Sequence, residues 1–169
     1  MASDQNFQSL LYKVILPKVE LVAAIISCIG LVLNYLKLPG ASELIMIGFS
    51  TLASVFFLIA YTPLTPGKPL QPERPKTFID LLSLIVWKVV HIALAVTTIG
   101  LLFYLLHLKG FSQMMLIGTI ALLLSLFLSG VIIVQNNKYL STLKPTLIKA
   151  VVMAIIGTYI LYFHWPISP

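Results

Sequence analysis

Charge is what this sequence has least of: 9% of its residues are Asp, Glu, Lys or Arg, where a soluble domain carries about a quarter. Only five are acidic. Cysteine occurs once, as Cys28, which excludes a disulfide framework. The nine glycines follow no three-residue period, which excludes a collagen-like chain. The sequence holds no Walker loop, nucleophile elbow, HExxH pair or dinucleotide fingerprint, so no catalytic set can be named. What fills the chain instead is hydrocarbon: 59% of its 169 residues are apolar. At about 20 residues per crossing, five or six spans use up that length and leave no room for a separate soluble domain. The net charge of +6 does not point to nucleic acid, because the lysines flank apolar runs and do not form a basic face on a soluble module.

Apolar runs occupy residues 14–36, 44–61, 81–106, 114–134 and 147–163. The expected fold is therefore an all-α polytopic membrane protein of five transmembrane helices, arranged as two antiparallel hairpins plus a half repeat. The expected organisation is an N-terminal segment (1–13), a first hairpin (14–61), a Pro-rich linker (62–80), a second hairpin (81–134), a loop (135–146), and a fifth helix with a short tail (147–169). The polar N-terminus has no small-residue cleavage site, so the first helix is expected to be retained. Within each hairpin the turn is too short for anything but antiparallel neighbours. Pro39, Gly40 and Gly110 suit the helix stop and a left-handed turn, and Ser42 and Ser112 are placed to N-cap the helix that follows. The linker, with Pro63, Pro66, Pro69 and Pro72, reads as an extended surface spacer or a docking strip.

Lysine and arginine set the orientation. Lys13, Lys18, Lys68, Arg74, Lys76, Lys88, Lys138, Lys144 and Lys149 belong to the N-terminal side, whereas Lys37 and Lys109 sit at the hairpin tips. Positive charge marks the cytoplasmic face. The N-terminus and both long connections are thus expected in the cytoplasm, with the tips, Trp165 and the C-terminus on the periplasmic side of a bacterial inner membrane.

Residues 29–58 align without a gap to residues 99–128, at an offset of 70. Gly30 meets Gly100, Gly40 meets Gly110, Ser42 meets Ser112 and Gly48 meets Gly118. Hydrophobicity alone does not supply matched glycines and serines, so a duplicated hairpin is expected. A partial third copy, IGTYILYFHWP, puts Gly157 at the place of Gly30, His164 at that of Lys37 and Pro166 at that of Pro39. The glycines, together with Ala23/Ser27 and Ser50/Ser54, are expected to form small-residue seams where helix backbones approach closely.

The unit GLVLNYLKLPGASELIMIGFSTLA and the terminal FHWP resemble the N-terminal transmembrane hairpin of the gliding-motility and type IX secretion protein GldL and its small relatives in Bacteroidota. That pattern is a glycine-containing helix, a Lys-x-x-His-Trp-Pro-Gly-like turn and a second helix with an Ile-Gly step. The resemblance implies an inner-membrane location and a place in an envelope complex. It also shows a departure. The motor glutamate that follows the Ile-Gly step in GldL is replaced here by Leu52 in the first copy and Leu122 in the second. Motor function is therefore not carried over.

The expected role is a non-enzymatic accessory or assembly subunit whose partners are the lipid bilayer and other membrane helices, or a second copy, with no cofactor, no metal and no nucleic acid. A candidate polar layer holds Lys18, Glu20, Lys88, His91 and Lys149, and the alternative is a small proton, ion or solute transporter using Glu20, Lys88 and His91 of that layer. Intramembrane ionisable groups cost about 2.5–3.5 kcal/mol each on insertion scales, and histidine titrates near neutrality. In that reading Glu20 partners Lys88 or His91, which share a face at i, i+3. In the plainer reading the layer is a structural pair with snorkelling lysines. A redox or lipid-modifying enzyme is the third possibility. His107 and His164, at matching outer positions, read as interfacial side chains, and Cys28 as a buried small residue.

Overall fold

A computed structural model describes residues 14–61, 78–135 and 140–164. These residues form α1 (Leu16–Tyr35), α2 (Ala41–Ala60), α3 (Phe78–Leu105), α4 (Phe111–Gln135) and α5 (Leu140–His164). All five are long and apolar enough to cross a membrane, and no strand occurs among the described residues. The protein is an all-α polytopic membrane protein. Helix is the form such runs must take, because hydrocarbon offers the backbone no external hydrogen-bond partner. Pro17 sits in the first turn of α1, where a missing N–H costs nothing. The fifth helix begins earlier than its hydropathy suggests: α5 starts at Leu140 and runs through Pro145, so most of the expected 135–146 loop is helical. The N-terminal segment, most of the Pro-rich linker and Trp165 lie outside the described residues.

Successive helices run antiparallel, with α1 packed on α2, α2 on α3, α3 on α4, and α5 on both α4 and α3. α3 is the hub. Val86, Val90, Ala93 and Leu94 of α3 are fully buried with Phe56 of α2, Leu122 and Ile132 of α4, and Ala150 and Ala154 of α5. A second cluster joins Ile45 and Phe49 of α2 to Leu102 of α3.

The hairpin turns match each other closely. Lys37 and His107 adopt left-handed φ of 55° and 54°, and Gly40 and Gly110 follow at 87° and 89°. Leu38 N–H reaches back to Leu33 O at 2.9 Å, and Leu108 N–H to Phe103 O at 2.8 Å. Lys37 N–H bonds Asn34 O, and His107 N–H bonds Tyr104 O, both at 3.1 Å. These paired bonds define the Schellman helix stop, with Lys37 and His107 in the position that glycine usually takes. The stop is thus made by Lys37 and His107 and not by Pro39, Gly40 or Gly110. Gly40 is itself the N-cap of α2, where no side chain caps the helix. Ser42 does not cap, because α2 has already begun at Ala41, and Ser112 likewise stands second in α4. Glu43 in the first turn of α2 complements the helix dipole.

Close helix contacts repeat with the same spacing. A Cβ at Gly30 would lie 2.9 Å from Ile45 N, and one at Gly100 would lie 3.0 Å from Met115 N. A Cβ at Gly48 would lie 2.7 Å from Ser27 N, and one at Gly118 would lie 2.9 Å from Thr97 N. Each glycine therefore admits the partner backbone to a distance that any side chain forbids. Gly157 of α5 differs, since a Cβ there would run into the Thr119 Oγ1 side chain of α4 and not into its backbone. Ala23 and Ser27 are buried in the first seam, as expected, but Ser50 and Ser54 are exposed. They lie on the side of α2 opposite Ile45, Phe49 and Ala53, and Ser54 Oγ donates to Ser50 O at 2.9 Å.

Candidate functional site

The polar layer joins Glu20 near the start of α1 to Lys149, nearly three turns into α5, and His91 at the middle of α3, with a pairing that spacing did not predict. Lys149 Nζ of α5 donates to Glu20 Oε1 of α1. Glu20 is the more enclosed partner, and nearly half of the Lys149 side chain stays exposed. Neither Lys88 nor His91 is the partner of Glu20. Lys88 is exposed on α3, whereas His91 three residues on is buried, so the two do not act as one face. Lys18 is exposed on α1.

His91 sits behind the ion pair, 4% exposed, where the charges of Lys149 and Glu20 both act on it. Its Nδ1 lies 2.8 Å from Trp87 O one turn earlier. A carbonyl only accepts, so Nδ1 carries the proton, and in the neutral ring Nε2 keeps its lone pair. The Trp87 ring lies against the imidazole at a tilt of 51° with centroids 4.3 Å apart, and Ile59 and Leu147 pack around Trp87. Trp87 Nε1 and Thr119 Oγ1 are buried without a hydrogen-bond partner among the described residues. Of the layer named from the sequence, the structure thus brings together Glu20, Lys149 and His91, adds Trp87, and leaves Lys18 and Lys88 outside.

Towards the α3–α5 core the polarity turns inward on the backbone. Thr97 and Thr98 donate to Ala93 O and Leu94 O, Ser125 to Leu122 O and Ser129 to Ser125 O, at 2.7–2.9 Å. A hydroxyl bonded to its own helix in this way is satisfied without a ligand. His107 is exposed at the second tip in its left-handed conformation. Cys28 is exposed on the outer side of α1, contrary to the buried position expected for it. No group of three or more His, Cys, Asp and Glu that could hold a metal occurs among the described residues.

Grooves run along the apolar surface of the described residues. One of about 470 Å³ lies between α4 and α5, from Leu126 and Val151 to Tyr159 and Tyr162. Another, of about 200 Å³, lies between α1 and α2 and has Lys18 at one end. No family model, curated protein or solved structure matches the chain.

Proposed function

We propose that this chain is a non-enzymatic accessory or assembly subunit of a bacterial inner-membrane complex, related to the GldL hairpin but without its motor carboxylate. The observation that carries this reading is the lopsided bundle. α1 packs mainly on α2, touches α5 through the Glu20–Lys149 pair, and exposes Leu21, Val22, Ile25, Ile29 and Val32, an apolar side free to pack against helices of another subunit. Leu122 stands fully buried at one of the two places where the motor glutamate would be. The matched turns and seams support descent of both hairpins from one unit. The lysine distribution supports a cytoplasmic N-terminus and periplasmic tips and C-terminus.

Extraction from the native host in mild detergent is expected to recover the chain with a stoichiometric membrane partner. Leu21→Trp with Ile25→Trp is expected to release that partner and leave the melting temperature unchanged. A wild-type chain that runs alone overturns the proposal. With Cys28 replaced, cysteines placed at 40 and 110 are expected to react with an impermeant reagent from the periplasm only, and reaction from the cytosol reverses the orientation.

A second reading has its own support in the Glu20–Lys149–His91 cluster, where a partly exposed carboxylate–ammonium pair lies near a buried imidazole. It makes the chain a proton-linked transporter and requires Glu20→Gln to abolish a flux measured in liposomes. Flux that survives the substitution, or none in wild type, removes that reading.

A further inference from the structure

Lys18 and Glu20 lie two residues apart but about 200° apart around α1. Between them runs the seam of Ala23, Ser27 and Gly30 that α1 buries on α2. Glu20 faces α5 and is engaged by Lys149, so it does not neutralise Lys18. On the other side of the seam Lys18, Val19, Val22, Ala23 and Ile26 form a groove with Thr51 of α2. Positions 18, 22 and 26 fall in one row, about 12 Å long at 1.5 Å per residue. The walls are hydrocarbon, and the stem of exposed Lys18 borders one end.

We propose that this groove is a binding site for an anionic phospholipid, with the phosphate on Lys18 and one acyl chain lying along Val19, Val22, Ala23 and Ile26. Size and charge choose this occupant. At about 200 Å³ the groove takes a flexible chain but not a helix, whose diameter is about 10–12 Å. The unneutralised ammonium favours a headgroup with net negative charge over one whose own cation it repels. The larger α4–α5 groove provides the contrast: its lining is apolar and aromatic with no lysine, so it has no basis for selecting headgroup charge. The site shares Val22 with the apolar side of α1 offered to a partner helix, so lipid and partner meet at that residue, and it does not depend on which leaflet holds Lys18.

The test reconstitutes the purified full chain in vesicles of equal phosphatidylglycerol and phosphatidylcholine with identical acyl chains, re-extracts it, and counts retained lipid by native mass spectrometry. Wild type is expected to retain phosphatidylglycerol about fivefold over phosphatidylcholine, the preference that one interfacial lysine confers. Lys18→Gln is expected to bring the ratio to parity. Val22→Trp, which fills the groove beside an intact Lys18, is expected to lower retention of both lipids. Lys88→Gln removes the matching lysine of α3, which lines neither groove, and is expected to behave as wild type. Parity in wild type, an unchanged ratio in Lys18→Gln, unchanged retention in Val22→Trp, or an equal loss in Lys88→Gln each overturns the site.

Discussion

The α1–α2 and α3–α4 hairpins share a turn, a helix stop and two glycine seams, yet they live in different surroundings. Over their most apolar stretches, 56% of α3 is buried and 22% of α1. At the 70-residue offset, buried His91 answers to exposed Leu21, and buried Thr98 to exposed Cys28. His91 and Thr98 stand where α3 is enclosed by α2, α4 and α5, whereas the seam hydroxyl is common to both hairpins: buried Ser27 answers to buried Thr97, each bonded to the carbonyl one turn back. The two hairpins thus agree in local geometry and differ in chemical character, which follows from their neighbours.

The sharpest way to break this comparison is to place the same methyl group in both seams. Gly118→Ala is expected to destabilise by about 2–3 kcal/mol, because α4 is held between α3 and α5 and cannot yield to a Cβ pressed on Thr97. Gly48→Ala is expected to cost about 1 kcal/mol less, since α1 can shift away. Melting in detergent measures both, and equal losses would show that α1 is as firmly held as the hub.

The turns are expected to respond alike. Gly40→Ala and Gly110→Ala meet no atom within 4 Å but force a Cβ into a left-handed backbone, at about 1–2 kcal/mol each. Unequal shifts in melting temperature would separate two turns that geometry makes equal. A smaller effect, about 1 kcal/mol or less, is expected when Glu20→Gln unties α1 from α5, because the half-exposed Lys149 can reach the interface. A double-mutant cycle with Lys149→Gln reads the coupling, and a value near zero would mean that α1 is held by its seam alone. Smallest and opposite in sign, Lys37→Gly and His107→Gly are expected to stabilise by about 0.5 kcal/mol, as relief of the left-handed backbone is partly offset by glycine's chain entropy.

Hydropathy and turn length were enough to read five spans, their antiparallel order and the common end shared by both tips. The faces were harder to read. In a membrane both the buried and the lipid-facing sides of a helix are apolar, so periodicity does not separate them. That is why Cys28 and Ser50/Ser54 were expected inside and lie outside, while Ala23 and Ser27 were placed correctly. Glu20 went to the wrong partner because the nearness of α1 and α5 is a tertiary fact that no spacing within a helix records. The helix stop at Lys37 left a faint trace: Leu38 and Leu108 supply the hydrophobic residue that follows a Schellman stop, a signal masked by the glycines nearby.

The ion pair also orders events during synthesis. Glu20 and Lys149 are 129 residues apart, and at roughly 5–20 residues per second the carboxylate waits on the order of ten seconds for its ammonium. Throughout that interval α1 holds an acid that hydrocarbon resists. The seam on α2 does not wait for that event, so the tie between α1 and α5 is a late addition to a helix already docked, formed only after the ribosome has delivered α5.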